Sequence, residues 1–166
     1  MGRKKLLTWV LYSLCALAAA AVQTLVLSRL QVWGVHPFIL PVAAAVIAVF
    51  PERRTAVAFG AFLGFVCDLV MPDIMPCFYL VTFALSALIT NLLAQRVIST
   101  PFLCALAGAG IALVLNGLGH GAVLLLFYGS AHGALLLLAQ EAVLSVLGTV
   151  PLFFLLRWVN RYLSTV

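Results

Sequence analysis

Two carboxylates, one imidazole and two amides lie inside long apolar segments of this chain, where polar side chains are energetically costly. They are Asp68, Asn116, His120, Gln140 and Glu141. A charge in the hydrocarbon region of a membrane costs about 2.5–3.5 kcal/mol on insertion scales. Such groups could relay protons or bind a polar molecule. The alternative is that each is hydrogen-bonded locally and serves only to fix helix packing.

These polar residues lack the companions that catalysis requires. No nucleophile, metal-ligand cluster or phosphate-binding loop accompanies the two acids. The histidines His36, His120 and His132 are too scattered for zinc spacing, and the four cysteines form no C-x-x-C pair. We therefore predict that the protein is not an enzyme and that it holds neither a metal ion nor a cofactor.

Six apolar windows position these side chains, and each is long enough to cross a membrane, which takes roughly 20 apolar residues. The windows are about 6–28, 32–50, 55–71, 77–94, 101–128 and 134–156. The chain is 66% hydrophobic and 8% charged over its 166 residues, with a mean hydropathy of +1.25. This composition predicts an all-α fold, with a single membrane domain built as a bundle of six transmembrane helices.

Basic residues predict the orientation of this bundle. With the amino terminus inside, only Arg29 lies outside, and eight of the nine basic residues lie in cytoplasmic segments: Arg3, Lys4, Lys5, Arg53, Arg54, Arg96, Arg157 and Arg161. An excess of Lys and Arg on the cytoplasmic side is the positive-inside pattern. Both termini are thus expected in the cytoplasm. The net charge of +5 then marks a face near anionic lipid and does not indicate nucleic-acid binding.

The second window, 32–50, is interrupted by Pro37 and Pro41. The distribution of basic residues decides whether this segment crosses the membrane. If this segment did not cross, Arg96, Arg157 and Arg161 would move outside together with Arg53 and Arg54, leaving three basic residues inside against six outside. That distribution would reverse the positive-inside pattern. Six crossings are therefore predicted.

In this topology the polar residues share a depth near the outer side. Asp68 lies about one turn before the outer end of the third helix, and Glu141 lies about two turns below the outer start of the sixth. Asn116 and His120 are four residues apart on the fifth helix and so share one face. We predict an outward-opening polar crevice lined by Asp68, Asn116, His120, Gln140 and Glu141.

Small residues indicate where helices approach closely. Gly60-x-x-x-Gly64 continues at the same spacing to Asp68, so the two glycines and the acid form one stripe along the third helix. Such a stripe allows close backbone approach by a neighbouring helix or a partner, and it orients Asp68 toward protein. Similar flat faces are offered by Ala16-x-x-x-Ala20 and Gly117-x-x-x-Gly121.

Several short motifs occur along the chain in an order typical of a known family. They are Gln23-Thr24, Gly34-Val35-His36-Pro37, Gly60, Gly64, Cys67-Asp68-Leu69, Glu141, Pro151 and Leu155-Leu156-Arg157. In motif order, length and topology the chain resembles MreD, the small integral membrane protein of the bacterial rod-shape machinery. It departs from that family at Met71–Pro76, where MreD-like chains typically have a glycine-rich turn.

The resemblance implies a non-enzymatic scaffold of peptidoglycan elongation and cell shape, located in the bacterial plasma (inner) membrane. Its expected partner is an MreC-like protein with a single span and an external domain. Through that protein it would join a RodA-type glycosyltransferase, its transpeptidase and MreB filaments. Because the predicted loops are short, the helix faces and the outer crevice are the surfaces left for binding within the lipid bilayer.

Two other classes stay open on the residues alone. The substrate-binding S component of an energy-coupling-factor transporter is also a six-helix protein, and Ala16-x-x-x-Ala20 would suit its coupling subunit. Against this class, no stacked aromatic and polar set suits a vitamin, and the outer loops are too short to cover one. A channel or proton-coupled carrier would use Asp68 and Glu141 as relay groups.

Overall fold

The computed structural model describes residues 3–29, 36–70, 77–96, 100–128 and 134–165. In these ranges the regular structure is entirely helical, which confirms the predicted all-α class. The helices are α1 (Arg3–Leu25), α2 (Leu40–Ala48), α3 (Arg53–Val70), α4 (Phe78–Arg96), α5 (Pro101–Tyr128), α6 (Ala134–Leu147) and α7 (Thr149–Thr165), with a 3-10 turn at Leu27–Arg29. The unusual Met71–Pro76 segment and His132 lie outside the described residues.

Three helical stretches in the described ranges are long and apolar enough to cross a membrane. They are Phe78–Arg96, Pro101–Ala122 and Ala139–Arg161. Trp9–Leu25 is a shorter apolar helix. A membrane-crossing helix needs about 20 predominantly apolar residues, so these stretches give the chain the character of a membrane protein.

The helix in the second window is much shorter than its window. It has nine residues, Leu40–Ala48, and is therefore about 13.5 Å long at roughly 1.5 Å per residue. Proline suits the first turn of a helix because the missing N–H would have no partner there. Pro41 occupies that turn, and the chain before it, from His36 to Ile39, is irregular. The hydrocarbon core of a membrane is about 30 Å thick, so α2 by itself is too short to cross it.

Helix α2 lies at the centre of the bundle. All nine of its residues are buried, as expected for a helix that is apolar on every side. It contacts α1, α3, α4, α5 and α7. Val42, Val46 and Ile47 share the core with Leu63 of α3 and Phe83 of α4. Contacts with neighbouring helices on all sides therefore determine where this helix lies, since it is too short to be placed by crossing the membrane.

The sixth predicted window is divided into two helices at Gly148. Pro151 has no N–H for the Leu147 carbonyl, and its ring would collide with that carbonyl in a continuous helix. The chain instead turns more tightly, with the Gly148 N–H donating to the Ser145 carbonyl at 3.1 Å. A Cβ on Gly148 would lie 3.1 Å from the Ile39 side chain, so the turn also lies closely against the chain that enters α2.

Aromatic contacts show which helix ends lie together. Trp9 and Tyr12 of α1 contact Phe59 of α3, with ring centroids 4.9 and 5.8 Å apart. The Tyr12 hydroxyl donates to Asn160 Oδ1 of α7 at 3.4 Å. The amino-terminal halves of α1 and α3 are therefore neighbours, and the carboxy-terminal half of α7 lies beside the amino-terminal half of α1.

Candidate functional site

The glycine stripe of α3 packs against α4. A Cβ on Gly60 would lie 2.6 Å from Ala87 Cβ and 2.7 Å from the Phe83 carbonyl oxygen. A Cβ on Gly64 would lie 2.5 Å from Leu80 Cα and would also overlap the Tyr79 carbonyl oxygen. Real Cβ atoms do not approach other atoms this closely, so only glycine fits at either position. The stripe is a packing face within this chain, and its glycines are not open to a partner.

Asp68, the third member of the stripe, caps the amino terminus of α4. Its Oδ1 accepts from the Tyr79 N–H at 3.1 Å, and its Oδ2 accepts from the Leu80 N–H at 3.0 Å. The first N–H groups of a helix have no partner inside the helix, and the helix dipole favours negative charge at that end. Asp68 therefore joins α3 to α4 through both carboxylate oxygens.

His120 lies beside the same end of α4. The Tyr79 hydroxyl and His120 Nε2 are 3.1 Å apart, and the His120 ring also contacts Phe78 at a centroid distance of 5.0 Å. The Phe78 ring occupies the space that a Cβ on Gly119 would need. Asp68 and His120, both predicted crevice residues, are thus both brought to the first turn of α4.

Asn116 lies one helical turn from His120 on α5 and is deeply buried, with 3% of its surface exposed. In the described part of the chain, its Oδ1 is one of two buried side-chain atoms without a hydrogen-bond partner; the other is Thr149 Oγ1. A buried acceptor of this kind costs free energy. Asn116 is therefore a core residue and does not line an open crevice.

The remaining two predicted crevice residues, Gln140 and Glu141, are half-buried on α6. Glu141 lies close enough to His36 to interact with it electrostatically. The contacts described for the predicted crevice thus fall into two groups. One surrounds the start of α4 and contains Asp68 and His120, and the other contains Glu141 beside the chain that enters α2.

Sequence reasoning missed the polar residues that hold α2. Gln23 of α1 uses both ends of its amide: Nε2 donates to the Pro37 carbonyl at 3.0 Å, and Oε1 accepts from the Ile39 N–H at 2.8 Å. Ser145 Oγ of α6 accepts from the Phe38 N–H at 2.8 Å. Irregular backbone at membrane depth is tolerated only where protein satisfies its polar groups. Gln23 and Ser145 supply the hydrogen-bond partners of this irregular backbone.

The other end of α2 is held by Asn91 of α4, which is 1% exposed. Its Nδ2 donates to the carbonyls of Ala48 and Pro51 at 2.9 and 3.0 Å. Ala48 is the last residue of α2 and Pro51 lies beyond it, so no N–H group of that helix can bind either carbonyl. The available signal was the presence of polar residues in other apolar windows, together with the prolines that interrupt the second window. This signal does not say which backbone group each side chain contacts.

A second set of glycines, on α5, has open surroundings. A Cβ on Gly110, Gly117 or Gly121 would meet nothing within 4 Å among the described residues. Spacings of seven and four residues place these glycines on one side of the helix. Val114 lies between them and is 60% exposed. We call Gly110, Gly117 and Gly121 the open α5 face.

The chemistry of these polar residues is hydrogen bonding to backbone and to one another. Within the ranges that the structure describes, no three His, Cys, Asp or Glu side chains are grouped so that they could hold a metal ion. Comparisons with models of known protein families, with characterised proteins and with solved structures found no match to this chain. Any functional assignment therefore starts from residue pattern and geometry.

Proposed function

We propose that this protein is an MreD-like scaffold of the peptidoglycan elongation machinery in the bacterial plasma membrane. It binds an MreC-like protein through a helix–helix contact and, through that protein, joins the RodA-type glycosyltransferase, its transpeptidase and MreB. It acts by binding and has no catalytic activity. The observation that carries this proposal is the open α5 face, together with the resemblance in motif order.

The open α5 face supports a binding function because the other close-packing motifs are occupied within the chain. Gly60 and Gly64 pack on α4, and Ala16 and Ala20 are 0% and 7% exposed. In membranes, small residues permit the close backbone approach on which helix association depends. A single-span partner presents one helix, which fits a single flat face of this kind.

Contacts between helix ends support six crossings with both termini on the cytoplasmic side. The Trp9–Phe59 contact indicates that α1 and α3 begin at the same end of the bundle, so the chain between them returns across it. The Tyr12–Asn160 hydrogen bond brings the last helix back to the start of the first. Together with the positive-inside pattern of the basic residues, these contacts favour the predicted topology.

The contacts of two motifs disfavour the alternative functions. An S component would need Ala16-x-x-x-Ala20 available to a coupling subunit, but both alanines are buried. A proton relay through Asp68 and Glu141 would need free oxygens on both acids, but both oxygens of Asp68 accept backbone hydrogen bonds. Asp68 is better explained as the residue that joins α3 to α4.

Binding is tested with glycine variants on the open face. Gly117→Leu/Gly121→Leu should keep the thermal stability of the protein in detergent but lose co-purification with the MreC-like protein, because the added side chains block helix approach. Ala122→Leu, at an exposed neighbouring position, is the matched control and should keep both. Depletion of the protein should make a rod-shaped host round, and only the control should restore the rods.

Other outcomes would count against the scaffold. If the double variant still retained the partner and cell shape, the open face would not be the binding surface. Co-purification of coupling ATPases, with cell shape intact after depletion, would replace the scaffold by the S component.

The topology has its own test in a background without other cysteines. Cys77 is exposed and is expected outside, so a membrane-impermeant thiol reagent should modify it in intact cells. Glu52→Cys and Thr100→Cys, both at exposed positions, are expected inside and should react only after permeabilisation. Modification of Thr100→Cys in intact cells would contradict six crossings.

A further inference from the structure

The last helix, α7, has one buried face and one exposed face of unusual composition. Phe153, Leu156 and Val159 are between 1% and 6% exposed and pack toward the core. The exposed face carries alternating aromatic and basic residues: Phe154, Arg157, Trp158 and Arg161. Their spacings of three and four residues align them along one side of the helix.

These four exposed residues line a cavity of about 300 Å³. Phe154 and Trp158 remain 58% and 69% exposed, so a large part of each ring is accessible from outside the protein. The Phe154 ring also contacts the buried Phe153 ring, at a centroid distance of 6.0 Å. None of the described residues that line the cavity is acidic. The described lining of the cavity therefore consists of two guanidinium groups and two aromatic rings.

The position of the cavity along the helix indicates its surroundings. Arg157 and Arg161 lie in the last turns of the apolar stretch Ala139–Arg161. Long basic side chains near the end of a membrane helix extend toward the interface, and tryptophan is enriched at the depth of lipid headgroups. Phosphate groups of phospholipids lie at this depth.

We propose that Arg157, Arg161, Trp158 and Phe154 form a binding site for the headgroup of an anionic phospholipid. Arginine binds phosphate oxygens through two parallel N–H groups, and two arginines one turn apart can contact one phosphate. The aromatic rings contact the glycerol and the upper acyl chain. Free phosphate would leave both rings without a ligand contact, so the lipid fits the whole site better. This site does not depend on the proposed scaffold function.

Fluorescence quenching by brominated lipid tests the site in the full-length protein. In a Trp9→Phe/Trp33→Phe background, Trp158 is the only tryptophan. The protein is placed in phosphatidylcholine bilayers that contain brominated phosphatidylglycerol or, at the same minor mole fraction, brominated phosphatidylcholine. We expect stronger quenching by the phosphatidylglycerol, with an enrichment of roughly fivefold for each arginine that contributes.

Charge variants distinguish a specific lipid-binding site from general electrostatic attraction to anionic lipid. Arg157→Gln/Arg161→Gln should abolish the preference for phosphatidylglycerol, while Arg53→Gln/Arg54→Gln, which removes two other exposed arginines, should retain it. If the first pair does not fold, Arg157→Lys/Arg161→Lys serves in its place and should weaken the preference while keeping the charge.

Four results would overturn the proposal. Three are equal quenching by the two lipids, a preference that survives loss of Arg157 and Arg161, and an equal loss in both arginine pairs. The fourth is loss of the preference in an excess of inorganic phosphate at constant ionic strength, which would mean that the site binds the free ion and not a lipid.

Discussion

The glycines of α3 and those of α5 have the same four-residue spacing and opposite surroundings. Gly60 and Gly64 lie so close to α4 that a Cβ at either position would overlap its backbone. A Cβ on Gly117 or Gly121 would meet nothing within 4 Å among the described residues. The motif permits close approach in both helices. Whether the helix that approaches belongs to the same chain depends on the other side chains along the stripe.

A polar anchor distinguishes the two helices. Four residues after Gly64 is Asp68, whose carboxylate binds the first turn of α4. Four residues after Gly121 is Leu125, which is 55% exposed and has no polar group to bind a neighbouring helix end. We infer that the carboxylate at the end of the stripe secures a helix from the same chain, and that a stripe without one is left for another molecule.

The largest effect should come from Gly64→Leu. The side chain would have to occupy the space of the α4 backbone at Tyr79 and Leu80, so we expect a loss of about 3 kcal/mol or more, enough to prevent folding. Gly117→Leu is the control and should be at least as stable in detergent as the unmodified protein, because leucine is a better helix former than glycine. Equal stability of the two variants would remove the distinction between the stripes.

Asn91→Leu tests a polar side chain that holds the end of a helix, α2, without a glycine stripe beside it. The change leaves the Ala48 and Pro51 carbonyls without the donor that Asn91 supplies, and a buried group left unsatisfied costs about 1–3 kcal/mol. Equilibrium unfolding in mixed detergent micelles measures the loss. Gln95→Leu, at an exposed position on the same helix, removes only the bond that Gln95 Nε2 donates to Asn91 Oδ1. It leaves both carbonyls with their donor, so it is expected to cost less. Similar losses would mean that α2 is held by packing alone.

Removal of the charge at the end of the α3 stripe should have a smaller effect, because one hydrogen bond is lost whereas Asn91→Leu leaves two carbonyls without a donor. Asp68→Asn keeps one carbonyl acceptor, but its amide nitrogen would face a backbone N–H donor. The lost hydrogen bond to a charged group costs about 1.5–3 kcal/mol. Glu52→Gln, at an exposed acid, should leave the unfolding free energy unchanged. A stability of Asp68→Asn equal to that of the parent would show that packing, not the carboxylate, secures α4.

The smallest effect should have the opposite sign. Gly117→Ala meets open space and replaces a poor helix former with a good one, which stabilises a helix interior by about 0.5–1 kcal/mol. Gly60→Ala, whose Cβ would lie 2.6 Å from Ala87 Cβ, should destabilise the fold. The difference in unfolding free energy between these two alanine variants is the most direct measure of the contrast. Destabilisation by both would mean that the α5 face is covered.

Local features of the sequence were sufficient for the helical fold and for the α3 stripe. Apolar composition over long windows predicts helices because hydrocarbon cannot satisfy backbone polar groups. The four-residue spacing of Gly60, Gly64 and Asp68 places them on one face in any α-helix. These properties depend only on neighbours along the chain, so one sequence reveals them.

The limits of α2 and the grouping of the polar residues depended on tertiary structure. Pro37 and Pro41 indicate an interruption, but the helix can begin as late as Leu40 only because Gln23 and Ser145 satisfy the backbone before it. These partners are distant in the chain.

For the predicted crevice, the sequence predicts a depth for each polar residue along its helix but not the direction of its side chain around the helix axis. Helix rotation and contact with neighbouring helices place Asp68 on the α4 backbone and Glu141 near His36. The same factors bury Asn116 in the core. Depth follows from hydrophobicity, which is local, whereas rotation is determined by the packing of all the helices together.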